Sequence, residues 1–199
     1  MNDHPVIAIR YYKSFDFYSK SMKSLADFLD ILEINRLGYQ TLEKNIRENK
    51  WEDVDQFLTS NPAAVSAKIT NLGRTALHVA IVAGRDAIVR ELLNRTTEED
   101  LKIKDNAGLA VLDCCAVFGN KQMAEIIVTK FPALLRIGNG PKQILPVVLA
   151  IWRNSSAKDM VSHLFEKTPK EDLTNGVNGA TFINKCLYAK AFGENLRIN

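Results

Sequence analysis

The stretch Gly73-Arg74-Thr75-Ala76-Leu77-His78-Val79-Ala80 decides the fold, because it returns in weaker form every 35 residues. The positions that match one period later form the pairs Gly73 with Gly108, Leu77 with Leu112, and Gly84 with Gly119. One period earlier Leu77 falls on Leu42, and two periods later it falls on Val147. Self-similarity at this period is typical of a solenoid, in which each unit buries its apolar face only by stacking on its neighbours.

Composition places the chain among ordinary globular proteins and argues against several function classes. Its 199 residues are 46% hydrophobic, which is enough for a sizeable core. The formal net charge of +3 is spread along the sequence, so we expect no nucleic-acid binding. The three cysteines, Cys114, Cys115 and Cys186, form neither a paired framework nor a metal-ligand spacing, which indicates a reducing, cytoplasmic location. We also expect no secretory signal and no membrane span.

Each repeat is predicted to be two short helices joined by a turn. In the clearest copy Thr75 stands at the N-cap, a helix runs over 76–83, and Gly84 closes it. A second helix follows over 86–94. Ala80 is small because the two helices must approach closely. The side chains expected in the buried layer between repeats are Leu77, Ile81, Val89, Leu92 and Leu93.

The predicted architecture is an all-α solenoid with a helical cap. Residues 1–35 lie outside the repeat, and apolar residues at helical spacing over 25–32 predict an amphipathic helix that covers the first repeat. Four complete repeats are predicted at about 36–70, 71–105, 106–140 and 141–173. An incomplete fifth is predicted over 174–199, where Gly179 and Phe182 begin a first helix but no second helix follows.

The motif Gly73-x-Thr75-Ala76-Leu77-His78-x-Ala80, followed by Gly84, resembles the ankyrin repeat signature Gly-x-Thr-Pro-Leu-His-x-Ala-Ala-x-x-Gly. Its linkers, which alternate between 62–65 or 132–135 and the acidic 99–101 or 171–173, resemble those of plant ankyrin proteins of the accelerated-cell-death type. The opening of the first repeat's second helix, Asn49-Lys50-Trp51-Glu52-Asp53-Val54, is similar to theirs as well. This resemblance covers roughly 36–193. It implies protein contacts in defence, stress or cell-death signalling. The family's membrane domain opens with Pro-Gly-Gly, and we expect this chain to lack that domain.

No residue pattern predicts catalysis, a cofactor or a metal. The resemblance gives His78 a structural role, in which Thr and His hydrogen-bond adjoining turns. Cys114 and Cys115 fall on packing positions of a first helix, so we expect them to be buried. No basic neighbour is visible in the local sequence to lower their thiol pKa, although a redox sensor stays open as an alternative. The three histidines share no ligand spacing.

The candidate partner-binding surface is the concave face, which in ankyrin folds is formed by turn tips and exposed first-helix positions. Placing the family pattern on this chain assigns to that face Asn71, Leu72, Arg74, Val82, Asn106, Leu109, Val117, Phe118, Lys142, Ile144, Trp152 and Arg153. Ala83 joins Val82, Val117, Phe118 and Trp152 in an apolar strip, and contiguous exposed apolar surface usually marks an interaction site. A competing interpretation has the strip partly covered by aromatic residues of 15–18.

Noncatalytic protein binding in the cytoplasm is therefore the predicted function, with an unidentified protein as partner. One alternative is a regulatory subunit that docks by repeat stacking on membrane-anchored ankyrin relatives. That alternative would place the protein at the inner face of the plasma membrane through its partner. The other alternative is the cysteine redox sensor.

Overall fold

The computed structural model describes residues 35–118, 120–153, 158–174 and 176–191. The predicted capping helix and Gly119 lie outside these ranges. The chain divides into two compact units, Met1–Thr41 and Leu42–Asn199, and the second contains the helix pairs. Within the described residues the structure is helical, without β-strands, and a single isolated bridge joins Asn139 to Ile144.

The helices follow one another as short pairs. Helix α1 spans 35–47. The others are α2 (Trp51–Ser60), α3 (Ala76–Val82), α4 (Asp86–Arg95), α5 (Glu98–Leu101), α6 (Val111–Phe118), α7 (Lys121–Lys130), α8 (Pro146–Arg153), α9 (Lys158–Lys167), α10 (Lys170–Thr174) and α11 (Gly176–Ala191). Short 3-10 turns lie at Pro62–Val65 and Pro132–Arg136. Both of them begin with proline, whose fixed φ suits the first position of a helix.

Local sequence sets both ends of α3. Thr75 is extended, with φ −79° and ψ 170°, and acts as the N-cap as predicted. At the other end Gly84 has φ +67°, a left-handed conformation that glycine adopts without steric cost. The amide of Gly84 donates to the carbonyl of Ile81 at 3.1 Å, and the amide of Arg85 donates to that of Ala80 at 2.9 Å. This Schellman arrangement ends the helix at Val82, one residue earlier than the sequence predicts.

The core is a stack of first helices flanked by second helices. Helix α3 packs against α4 and α6, α6 packs against α7 and α8, and α8 packs against α9 and α11. Every residue from Ala76 to Ile81 is buried, which a helix covered on three sides requires. The predicted inter-repeat layer is confirmed, since its members are at most 2% exposed: Leu77, Ile81, Val89, Leu92 and Leu93. Neighbour-only packing of this kind defines a solenoid.

The last helix, α11, is a single continuous element of 16 residues. Its early part joins the stack, since Phe182 is buried and its ring stacks on that of Phe165 with centroids 5.2 Å apart. Val177 and Ile183 are about half exposed on the same helix. The described part of the chain ends with this helix, at Ala191.

Across the described residues, no helix combines the length and apolar character that a membrane crossing requires.

Candidate protein-interaction face

Three hairpins and three first-helix ends form the surface that the sequence assigns to partner binding. The hairpins are residues 66–74, 102–109 and 137–145, and the helix ends are the last turns of α3, α6 and α8. We call this surface the inner face. Three large apolar side chains on it are about half exposed: Leu72 at 56%, Phe118 at 48% and Trp152 at 50%. Asn71, Asn106 and Lys142 are exposed at the hairpin tips, as expected.

The hairpins are held in register by asparagine side chains that reach the preceding turn. The amide nitrogen of Asn106 donates to the carbonyl of Asn71 at 3.0 Å, and that of Asn178 donates to the carbonyl of Gln143 at 2.9 Å. Asn139 donates to the carbonyl of Gly108 in the same way. These bonds give asparagine a spacing role at the tips. The sequence reading assigned Asn106 to partner contact alone and missed this ladder, although the 35-residue spacing of Asn71 and Asn106 was visible.

Arg74 is less accessible than the sequence predicts, because neighbouring side chains hold it. Its Nε lies 3.4 Å from Oδ2 of Asp105, and its guanidinium carbon lies 6.0 Å from the centre of the Phe118 ring. The side chain is only 15% exposed. Arg74 therefore positions Phe118 through a cation–π contact and offers a partner little free charge.

Ile144 differs from the prediction of an exposed contact residue. It is 5% exposed, because its backbone pairs with Asn139 in both directions at 2.8 and 2.9 Å. This bridge turns the Ile144 side chain into the stack. Val82, Leu109 and Val117 are partly exposed. Arg153 ends α8, and its side chain lies outside the described part.

His78 links one repeat to the next. Its Nδ1 lies 2.8 Å from Oγ1 of Thr75, and its Nε2 lies 3.0 Å from the carbonyl oxygen of Leu109. Since a carbonyl only accepts, Nε2 carries the proton and Nδ1 accepts from Thr75. Burial lowers the pKa of this imidazole, which favours the neutral form that both bonds need. A ring with both nitrogens engaged supports the structural role that the resemblance implies.

Asp113 occupies the position of His78 one period later. It is fully buried, and Oδ2 accepts a hydrogen bond from the Ala110 amide at 3.0 Å while Oδ1 has no partner within the described residues. Desolvation raises the pKa of this carboxyl to about 7. The sequence reading missed this group, although the register that aligns it with His78 was available.

The two adjacent cysteines are buried in α6 with no exposed surface. Burial raises the pKa of Cys114 to about 12 and that of Cys115 well above its usual value. A redox-sensing thiol needs the opposite shift, together with access to oxidant. These observations favour the packing role predicted for both residues.

An open cleft of about 460 Å³ lies beside the last hairpin. Its lining consists of Arg136, Gln143, Leu145, Glu171, Asp172 and Asn178. Arg136 forms ion pairs with Glu171 and, at 2.8 Å, with Asp172, so its charge is neutralised within the cleft. The described residues include no group of three or more His, Cys, Asp or Glu side chains placed to hold a metal ion.

The arrangement defines a class of protein: an all-α solenoid of stacked helix pairs, whose hairpin tips lie on one surface. Residues 45–135 match the family model of ankyrin repeats (3 copies), so the chain contains ankyrin repeats and its fold is an ankyrin solenoid. No curated protein matches the chain. Proteins with such repeats generally act as noncatalytic scaffolds for protein–protein interaction.

Proposed function

We propose that the chain is a noncatalytic scaffold that binds a protein partner through the inner face. The observation that carries this proposal is the exposure of Phe118 and Trp152, about half for each, in the last turns of successive first helices. The remainder of those helices is almost entirely buried. Large apolar side chains that stay accessible beside a well-packed core are typical of interaction sites.

The energetics of interfaces favour these residues as the main contacts. Tryptophan is enriched among the few residues that carry most of the binding energy. Phe118 is oriented by Arg74, which is itself held by Asp105, so less side-chain entropy is lost when a partner covers the ring. Leu72 adds accessible apolar surface at a hairpin tip.

Trp152→Ala tests the proposal. Peptides selected from a displayed random library on the folded chain provide the ligand, and fluorescence anisotropy gives the dissociation constant. We expect Trp152→Ala to weaken binding by more than about 2 kcal/mol, or roughly thirtyfold. Trp51→Ala is the matched control, because Trp51 starts α2, a second helix, and its ring contacts Arg95 there. Unchanged affinity in a folded Trp152→Ala variant would refute the proposal.

The cellular setting of this scaffold is also proposed. The resemblance to plant ankyrin proteins supports a role in stress or defence signalling in the cytoplasm. We also propose that the helix pairs belong to four repeats at about 36–70, 71–105, 106–140 and 141–173, and that a further repeat begins at about 174. The measurement that tests the setting is whether loss of the protein in a plant cell changes defence-gene induction, and no change would argue against it.

Docking by repeat stacking is a second candidate, favoured by α11. Its Val177 and Ile183 are 49% and 55% exposed on the last helix that the structure describes. Repeats of a solenoid bury their apolar faces by stacking, so this exposed apolar surface would suit a repeat of another ankyrin chain, including a membrane-anchored relative. Light scattering coupled to size exclusion tests it. A monomeric intact chain that also fails to bind such a relative would exclude this function.

A further inference from the structure

The three hairpins of the inner face carry a one-sided set of charges. Their basic residues are Lys68, Arg74, Lys102, Lys104 and Lys142, and their one acidic residue is Asp105. Asp105 is buried and paired with Arg74, so it presents no negative charge at the surface. The hairpin edge of the inner face is therefore positive.

Nζ of Lys104 donates to the Gly138 carbonyl at 2.6 Å, so the fully exposed part of that charge belongs to two lysines. Lys68 and Lys142 are exposed, and neither forms an ion pair within the described part of the chain. The charge of Lys102 is offset by Glu98 and Glu99, at 2.9 and 2.6 Å. Lys68 and Lys142 stand in the first and third hairpins and thus bracket the tips, beside the row of apolar helix ends.

The helix ends add no acidic residue that could form an ion pair with these lysines. Among the side chains that the structure describes at the ends of α3, α6 and α8, the exposed or partly exposed ones are the apolar Val82, Ala83, Val117, Phe118 and Trp152. A partner that binds the inner face must therefore have two properties. Its apolar side chains must cover the aromatic rings, and its charge must be negative where it passes the hairpins.

We propose that the partner is a protein segment in which aromatic or aliphatic side chains are flanked by Asp and Glu. This inference rests on the proposed function and names the chemistry of its partner. The apolar side chains pack on Phe118 and Trp152, while the carboxylates pair with Lys68 and Lys142. Two isolated lysines amid asparagine and apolar groups offer too little charge density for a phosphate backbone, which takes many contacts. They also fall short of the clustered Lys and Arg that bind anionic lipid.

Library selection combined with charge reversal tests this chemistry. Displayed random peptides are selected on the wild-type chain, and we expect Asp and Glu to be enriched beside aromatic or aliphatic residues. One selected peptide is then synthesised and titrated. We expect the double variant Lys68→Glu and Lys142→Glu to bind it at least about tenfold more weakly, and added salt to weaken wild-type binding. The matched control reverses two exposed charges on second helices, Arg90→Glu and Lys167→Glu, and should bind normally.

Each other outcome overturns a stated part. Peptides that depend on Trp152 but show no acidic enrichment and no response to reversal of Lys68 and Lys142 would refute this inference and leave the proposed function standing. Peptides indifferent to Trp152→Ala, or no selected peptides at all, would refute both. An equal loss of affinity in the control double variant would refute the pairing with Lys68 and Lys142, because net charge alone would then explain the weaker binding. Phosphatidylserine vesicles that displace the peptide would make the ligand a membrane surface instead.

Discussion

Replacing His78 with leucine keeps the side-chain volume nearly constant but removes the hydrogen bonds that join one repeat to the next. The imidazole bonds Thr75 through Nδ1 at 2.8 Å and the Leu109 carbonyl through Nε2 at 3.0 Å. Both partners sit at repeat boundaries, and Thr75 is only 2% exposed. His78→Leu therefore tests whether this residue stabilises the stack.

The expected cost is about 3 kcal/mol. Each lost hydrogen bond contributes about 1 kcal/mol, and leaving the buried polar groups of Thr75 unpaired adds about 1 kcal/mol or more. The Leu109 carbonyl is not orphaned, because it still accepts from the Asp105 amide at 2.9 Å. The added apolar burial of leucine offsets part of the loss. Urea denaturation followed by circular dichroism measures the change.

His163→Leu is the matched control. Its Nε2 is buried without a hydrogen-bond partner within the described residues, and its Nδ1 lies 3.9 Å from Glu125, beyond hydrogen-bonding distance. We expect a change within about 0.5 kcal/mol, because no bond is lost. Equal, small effects of the two substitutions would refute the linking role of His78.

The effect of His78→Leu also depends on pH. Burial lowers the folded-state pKa of His78 below the usual 6.5, so only the unfolded state binds this proton in the window just below that value. Because the unfolded state takes up the proton first, it is stabilised as the pH falls. The contribution of His78 to the free energy of unfolding is therefore complete above about pH 6.5 and declines below it. We expect the difference between wild type and His78→Leu to shrink when urea titrations at about pH 7.5 are repeated at about pH 5.5.

Two further predictions use other residues of the same stack. The pKa of Asp113 is raised to about 7 in the folded state, from the ordinary value of 3.8. Between these two values the folded state binds more protons than the unfolded state. The free energy of unfolding therefore falls as the pH rises through that range. Asp113→Asn should therefore be more stable than wild type by about 4 kcal/mol in urea titrations above pH 7, since each pKa unit is worth about 1.4 kcal/mol, and equal to it near pH 4. Equal stability of the two proteins at both pH values would contradict this. Gly73→Ala should lower the thermal midpoint more than Gly84→Ala does, because both glycines have positive φ but only at Gly73 would a Cβ overlap the Asn106 side chain. Equal shifts in calorimetry would show that this close approach has no cost.

Much of the fold follows from local sequence. Thr75 caps α3, Gly84 closes it in a positive-φ conformation, and the apolar residues of the repeat are buried, as predicted. Each of these features depends on the conformational preference of one residue or on helical spacing within one repeat. The family-model match over residues 45–135 rests on the same local pattern.

The candidate site was only partly predictable. Phe118 and Trp152 are exposed where the period places them, because helix ends repeat faithfully. Ile144 is buried instead, since its hairpin has a bridge to Asn139 that the other copies lack. Aligning the repeats at the 35-residue period cannot reveal the burial of Ile144, because that burial arises from local loop geometry in a weakly matching repeat.

The sequence by itself determined the class of the protein: its period, its helix pairs and the side chains of its core. Only the tertiary structure decided which groups meet across repeats. The His78 bond to Leu109, the asparagine ladder and the unpartnered oxygen of Asp113 all depend on such contacts. The physical reason is that a hydrogen bond or a pKa depends on atoms within a few ångströms. In a solenoid those atoms belong to residues about one repeat apart, brought together only by stacking.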